Sequence, residues 1–185
     1  LAELCGIDSK TKKRSIPMPI SGYKLDEAFP PNSTEEEYLF LPKEQIKKYM
    51  QIVGCLVWIS GIRYDISFSV LYLSWHTKQP RKHHLTMSLY VVAYLFYTKD
   101  IPLVLGGKGD ISLTTYTDSS LATGPKRRSI SGQLTKLHEN SGAIHVKSHA
   151  TQSTCMSTFE SELAALTDGM KTALYLQQLL ATLNT

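Results

Sequence analysis

The sequence predicts an α+β protein in which a small helical bundle is followed by three antiparallel strands and one long helix. Changes in the spacing of apolar residues indicate this order. Apolar residues recur at helical spacing between residues 43 and 97, and the pattern changes to strand-like alternation after the glycine-rich segment 106–109. Helical spacing returns at Ser157 and continues to about Leu183. The order of elements therefore predicts a helical subdomain before a mixed one.

Residues 1–41 are predicted to be an extended or linker segment after a helix end. Leu1 to Cys5 has the pattern of a last helical turn, and Gly6 is well placed to end it. The basic cluster from Lys10 to Arg14 fits a solvated turn and a phosphate contact equally well. Residues 23–38 are acidic and interrupted by prolines, which is typical of a linker or a long surface loop.

Residues 42–105 are predicted to form the helical bundle. Three helices are expected, over Lys43 to Trp58, about Asp65 to His76 and about His83 to Tyr97, with short connections. Helical spacing assigns these side chains to the buried face of the first helix: Ile46, Tyr49, Met50, Val53 and Val57. The corresponding positions of the other two are Ile66, Val70, Leu73 and Trp75, and then Leu85, Leu89, Val92 and Phe96.

Residues 106–185 are predicted to form the strands and the long helix. The first strand covers residues 111–117 and ends at Asp118, and residues 129–138 and 143–148 form the next two. Short connections favour an antiparallel meander. A meander with one helix covers only one face of its sheet, so a second chain could complete it.

The start of the last helix carries two carboxylates, of which only one has a predicted structural role. Ser157 followed by Glu160 is a capping box, which gives Glu160 a structural role. Glu162 is left without one. The apolar stripe predicted to be the buried face of this helix is Phe159, Leu163, Leu166 and Met170.

Bulk composition indicates an ordinary folded protein. The chain has 185 residues, 42% of them hydrophobic and 19% charged, which excludes a disordered class. A net charge of +4 is compatible with a nucleic-acid partner. The three cysteines are isolated in sequence, which favours an intracellular, reducing location, and no apolar run is long enough to span a membrane. Because the chain starts without Met, we expect a piece of a longer polyprotein.

Five sequence runs together resemble one family. They are Y-T-D-S-S (116–120), R-R-S-I-S-G (127–132), I-H-V-K-S (144–148), S-T-F-E-S-E-L-A-A-L (157–166) and the segment I-V-G-C-L-V-W-I-S-G-I-R-Y-D-I-S-F-S-V (52–70). The first four resemble the ribonuclease H domain of copia-type (Pseudoviridae) retrotransposon Pol polyproteins, and the last resembles the reverse-transcriptase thumb of the same polyproteins. The chain departs from the family pattern at Tyr64, where the family has Pro, and at Ser120, where it has a second acid.

The resemblance implies a fold and a function. It implies a thumb-like subdomain followed by an incomplete ribonuclease H-like subdomain, which would hold an RNA–DNA hybrid or duplex and, when completed, hydrolyse the RNA strand. Asp118 and Glu162 would be the catalytic, metal-binding carboxylates for Mg²⁺ or Mn²⁺, since two-metal hydrolysis needs clustered oxygen ligands. Lys126, Arg127 and Arg128 are candidate phosphate contacts, with a solvated basic turn as the alternative.

Two interpretations of the function remain open at this stage. Only two of the carboxylates expected of a ribonuclease H are found in this chain, so a non-catalytic, decayed or repurposed module that binds nucleic acid or protein is the alternative to the enzyme. For the family, the location would be a cytoplasmic virus-like particle or the nucleus.

Overall fold

The computed structural model describes residues 1–19, 36, 39–106, 111–124 and 127–183. The chain divides into two compact units, Leu1–Ile101 and Pro102–Thr185. The predicted linker at residues 23–38 lies almost entirely outside the described residues, as does Lys126. The predicted α+β class is confirmed, because helices precede a three-stranded antiparallel sheet and a long helix.

The described residues of the N-terminal unit form four α-helices: α1 (Ala2–Cys5), α2 (Lys43–Ile59), α3 (Ser67–Trp75) and α4 (Lys82–Tyr97). A 3-10 turn over Tyr64–Ile66 leads into α3. Gly6 ends α1 with a φ of 67°, as its position predicted, because glycine adopts this left-handed conformation without a steric penalty. The segment after α1 packs along α4, where the hydroxyl group of Tyr97 donates to the carbonyl groups of Ser9 and Thr11.

The core of this unit is formed by one face of each of the three longer helices. Its fully buried members include Tyr49, Ile52, Leu56, Ile66, Leu73 and Val91. The prediction for α2 was partly wrong, because Met50 and Val57 are exposed. The apolar stripe of α2 is wider than the face that α3 and α4 cover, so periodicity alone placed its centre incorrectly.

An ion pair with two further hydrogen-bonding partners joins the start of α3 to the end of α4. The Arg63 guanidinium group contacts both carboxylate oxygens of Asp65, at 3.0 and 2.7 Å, and donates to the carbonyl and hydroxyl oxygens of Thr98. The Tyr94 hydroxyl group donates to Asp65 at 2.6 Å. Burial alone would raise the pKa of Asp65, but the hydrogen bonds from Arg63 and Tyr94 and the charge of Arg63 outweigh it and lower the pKa.

The C-terminal unit is a meander of β1 (Thr114–Ser120), β2 (Ile130–Lys136) and β3 (Ala143–Ala150), followed by α5 (Thr158–Leu183). The strand order is β1-β2-β3 and both pairings are antiparallel, as predicted. The predicted end of β1 was wrong. Asp118 lies within the strand, opposite Gly132, because the polar run T-D-S-S continues the ladder with β2.

The helix α5 packs on the sheet through small residues. Its buried residues are Ser161, Ala165 and Gly169, spaced four apart, and the hydroxyl groups of Ser161 and Ser119 are 2.8 Å apart. The prediction of the buried face was therefore wrong. All four side chains of the predicted apolar stripe are 48–78% exposed: Phe159, Leu163, Leu166 and Met170. The facing sheet residues are polar and crowded, and only small side chains allow the helix to approach them closely.

Candidate carboxylate site and nucleic-acid contacts

The N-terminus of α5 is held by the predicted capping interaction. Ser157 Oγ accepts a hydrogen bond from the Glu160 backbone N–H at 3.1 Å. The Glu160 carboxylate accepts one from the Met156 N–H at 2.7 Å, one residue before the position that the capping box predicts. Glu160 therefore has a structural role at the helix start, and Glu162 lies two residues further along with no role in the cap.

The direction of Glu162 follows from the packing of α5. Asp168 Oδ2 is 3.1 Å from His149 Nε2, so that side of α5 faces β3. At 100° per residue, Asp168 and Glu162 lie about 60° to either side of the buried residue Ala165. Glu162 therefore extends toward the other side of the sheet, where β1 is the edge strand. It is half-buried there.

Asp118 lies on the opposite face of the sheet. Its neighbours Thr117 and Ser119 face α5, because a Cβ added at Gly169 would lie 2.2 Å from Thr117 Cγ2 and Ser119 bonds to Ser161. Since side chains alternate along a strand, Asp118 faces away from α5, and it is exposed. The structure thus brings β1 and α5 together, while the two carboxylates approach the edge of β1 from opposite faces.

Among the described residues, no group of three or more His, Cys, Asp or Glu side chains is arranged to hold a metal ion. Magnesium and manganese prefer several oxygen ligands. Asp118 and Glu162, on opposite faces of the sheet, do not by themselves fit such a centre. Asp168 does not join them, because it pairs with His149 and lies 3.5 Å from Lys171.

Sequence reasoning missed the polar contact between Asp168 and the sheet. Burial alone would raise the pKa of Asp168, but the hydrogen bond and charge of His149 and the charge of Lys171 lower it. Between the sheet and α5, the β2 side chains Ser131, Gln133 and Thr135 are buried. The small residues of α5 at intervals of four were the available signal for this packing.

The loop between β1 and β2 carries the candidate phosphate contacts. Arg127 and Arg128 are both exposed, and Arg127 has a φ of 58°, which is uncommon for a residue with a side chain. A hydrogen bond from the Gly124 N–H to the Arg128 carbonyl at 2.8 Å closes the loop. The Arg128 guanidinium group lies 3.4 Å from the Gln152 carbonyl oxygen. One backbone hydrogen bond therefore joins the two sides of the loop, and Arg127 is exposed beside it.

The basic cluster near the N-terminus combines packing and exposure. The Arg14 guanidinium carbon lies 4.3 Å from the centre of the Tyr90 ring, which fixes the end of the cluster to α4. Lys10, Lys12 and Lys13 are exposed. Part of the cluster is therefore structural, and its lysines remain accessible to an anionic partner.

Comparison with known proteins agrees with the family resemblance. The chain is 24% identical to the Transposon Ty1-DR6 Gag-Pol polyprotein of Saccharomyces cerevisiae over 192 aligned residues, which cover 96% of this chain. It is 26% identical to the Ty1-NL2 Gag-Pol polyprotein of the same organism over 155 residues, or 81% of this chain. The chain spans 11% and 8% of these relatives. No family model matches it, and no solved structure matches it significantly.

The chain is therefore homologous to a region of retrotransposon Gag-Pol polyproteins. More particularly, the relatives named above are Ty1 polyproteins, of the copia type that the sequence motifs indicated. In the described part of the chain, no helix has the length and apolar composition that crossing a membrane requires.

Proposed function

We propose that this chain is the part of a copia-type retrotransposon polymerase that holds an RNA–DNA hybrid, through a thumb-like helical unit and a ribonuclease H-like unit. The observation that carries the proposal is the match to Gag-Pol polyproteins over 96% of the chain. The order of helical unit, meander and long helix agrees with it. Its site of action would be intracellular, in a virus-like particle or the nucleus.

The distribution of charge supports contact with a phosphate backbone. Eight lysines of the described N-terminal unit are exposed: Lys10, Lys12, Lys13, Lys43, Lys47, Lys48, Lys78 and Lys99. Exposed lysines attract nucleic acid without reading its sequence, by releasing the counterions of the phosphates. In the C-terminal unit, Arg127 and Arg128 are exposed in the loop before β2. Recognition would therefore depend on backbone shape and the 2′-OH groups rather than on base sequence.

Hydrolysis of the RNA strand would require more carboxylates than Asp118 and Glu162. Two-metal cleavage of a phosphodiester needs acidic ligands that converge on both ions. The two carboxylates lie on opposite faces of the sheet, and no third acid joins them among the described residues. We therefore propose Asp118 and Glu162 as the contribution of this chain to a larger acidic site.

Binding is tested first. The affinity of the chain for a labelled RNA–DNA hybrid should fall as salt rises, and Arg127→Glu should weaken it several-fold. Lys147→Glu makes the same charge reversal at an exposed residue of β3, away from the loop, and serves as the matched control. Fluorescence anisotropy at two or more salt concentrations measures both effects. A parent chain that binds neither hybrid nor duplex would refute the proposal.

Cleavage is tested separately with the same hybrid in Mg²⁺ and then in Mn²⁺. If the chain cleaves RNA, Asp118→Asn and Glu162→Gln should each abolish the activity without changing hybrid affinity by more than a few-fold. Cleavage that survives both substitutions would mean that the assigned carboxylates are wrong.

A second candidate function is a non-catalytic module that keeps the fold for binding. The positions of Asp118 and Glu162 on opposite faces of the sheet favour this function. Among the described residues, neither carboxylate belongs to a group of three or more side chains that could hold a metal ion. Hybrid binding with the same affinity in Mg²⁺, in Mn²⁺ and in chelator, together with no cleavage, would distinguish this module from the enzyme.

A further inference from the structure

The basic cluster of residues 10–14 belongs to a segment that packs on α4. Between Gly6 and Pro19 the sequence has one acidic side chain and four basic ones: Asp8, then Lys10, Lys12, Lys13 and Arg14. A solvated turn and a phosphate contact were equally good interpretations of this cluster at the level of sequence. The contacts of the segment favour the second, because a turn that is only solvated does not need a fixed backbone.

A turn at Asp8 begins the segment. The Asp8 carboxylate accepts hydrogen bonds from the N–H groups of Lys10 and Thr11, at 2.9 and 3.1 Å. The Thr11 hydroxyl oxygen accepts one from the Asp8 N–H at 3.0 Å. Aspartate side chains stabilise turns in this way. The acidic side chain of the segment therefore shapes the backbone that carries the lysines.

Two tyrosines of α4 fix the middle of the segment. The Tyr97 hydroxyl group contacts the carbonyl oxygen of Ser9 at 3.1 Å and also that of Thr11. The Arg14 guanidinium carbon lies 4.3 Å from the centre of the Tyr90 ring. Tyr90 and Tyr97 are seven residues apart, so they lie on one face of the helix. The segment therefore runs along α4 in the opposite direction to the helix.

The segment is anchored beyond the cluster as well. Met18 is 4% exposed and belongs to the hydrophobic core of the N-terminal unit. Lys10, Lys12 and Lys13 are exposed, and the backbone that carries them is held on both sides. A backbone that is already ordered loses less conformational entropy when it binds a partner.

We propose that Lys10, Lys12 and Lys13 form a preformed contact with neighbouring phosphates of the hybrid, and that Tyr97 is its positioning residue. This inference rests on the proposed function. The Cα atoms of Lys10 and Lys13 are at most about 11 Å apart, even in an extended chain. A duplex carries about one negative charge per 1.7 Å of its axis, so about six phosphates lie within that length. Such contacts position the protein on the duplex without reading its bases.

Lys99 extends the basic surface at the C-terminal end of α4. Its side chain is exposed, and its Nζ atom lies 5.7 Å from the centre of the Phe96 ring. The Phe96 ring contacts the Tyr97 ring edge to face, so Lys99 lies at the same end of the helix as the segment. Asp100 is exposed beside it and partly offsets its charge. We therefore expect Lys99 to contribute less than the three lysines of the segment.

The first test reverses single charges and measures the affinity of the full chain for a labelled RNA–DNA hybrid at several salt concentrations. Lys12→Glu and Lys13→Glu should each weaken binding several-fold at low salt and reduce the salt slope by about 1 or more. Lys78→Glu is the matched control, because Lys78 is exposed and precedes α4, whose two ends are about 22 Å apart. It should weaken binding less than either substitution in the cluster.

The second test is Tyr97→Phe, which removes the hydroxyl group and leaves the charge of the chain unchanged. We expect the affinity to fall at least threefold and the salt slope to decrease, because loosened lysines contact fewer phosphates at once. A loss of stability alone would not change the salt slope of the folded chain, and circular dichroism checks the fold. Tyr175→Phe removes the same group from an exposed position of α5 and should change neither quantity.

The outcomes separate this inference from the proposed function. A parent chain that binds no hybrid would refute the proposed function and this inference with it. If the parent chain binds, but Lys78→Glu weakens binding as much as Lys12→Glu and Lys13→Glu, net charge explains the binding and this inference alone is wrong. An unchanged affinity and salt slope in Tyr97→Phe would overturn the positioning role.

Discussion

Substitution of Gly169 by alanine should destabilise the C-terminal unit, although alanine is the better helix former. A Cβ at this position would lie 2.2 Å from Thr117 Cγ2, which is too close for two non-bonded carbon atoms. The threonine is β-branched and has few rotamers, so the helix and strand must separate. Overpacking of this kind costs about 1–3 kcal/mol. The helix propensity of alanine offsets about 1 kcal/mol, so we expect a net loss of up to about 2 kcal/mol.

The test is to make Gly169→Ala in a chain that already carries Thr117→Ser, because serine lacks the Cγ2 methyl group that the added Cβ would contact. The next atoms near the added Cβ are Thr115 Cγ2 at 3.5 Å and Thr117 Cβ at 3.7 Å, which are ordinary contacts. In this background Gly169→Ala should stabilise the unit by about 1 kcal/mol. Gly54→Ala in α2 is the control, because no atom lies within 4 Å of its added Cβ, and it should also be stabilising. Urea denaturation followed by circular dichroism measures each free energy of unfolding. An equal cost of Gly169→Ala in both backgrounds would refute the packing described here.

Three further outcomes are expected. Ser157→Ala removes the acceptor of the Glu160 N–H and should cost about 1 kcal/mol in urea unfolding, whereas Ser157→Asp should retain most of the stability. The pKa of Asp65 is lowered from 3.8 in the folded N-terminal unit, so its contribution to stability is complete above that pH and is lost as the pH falls below it. Unfolding measured at pH 6 and pH 3 should show a smaller pH effect in Asp65→Asn, and an equal effect would contradict the role of its ion pair with Arg63. Arg127→Gly should raise stability by up to about 1 kcal/mol by relieving the left-handed backbone, while it lowers hybrid affinity. A loss of stability would mean that the arginine side chain supports the loop.

Much of the fold could be predicted from local signals. The helical periods gave α2, α3 and α4 to within a few residues, Gly6 ended α1, and the Ser157 cap began α5. These features depend on interactions within a few residues of the chain. The meander was predictable for the same reason, because short connections favour antiparallel neighbours.

The candidate site was less predictable, because it depends on which face each element turns toward the other. The sequence by itself determined that α5 has an apolar stripe and that β1 carries Asp118. Only the tertiary structure decided that the small residues Ser161, Ala165 and Gly169 are the buried ones, and that Asp118 faces away from the helix. The physical reason is steric, since a sheet face lined by Thr117 and its neighbours admits a helix backbone only where side chains are small. The apolar stripe consequently remains exposed in the described part of the chain.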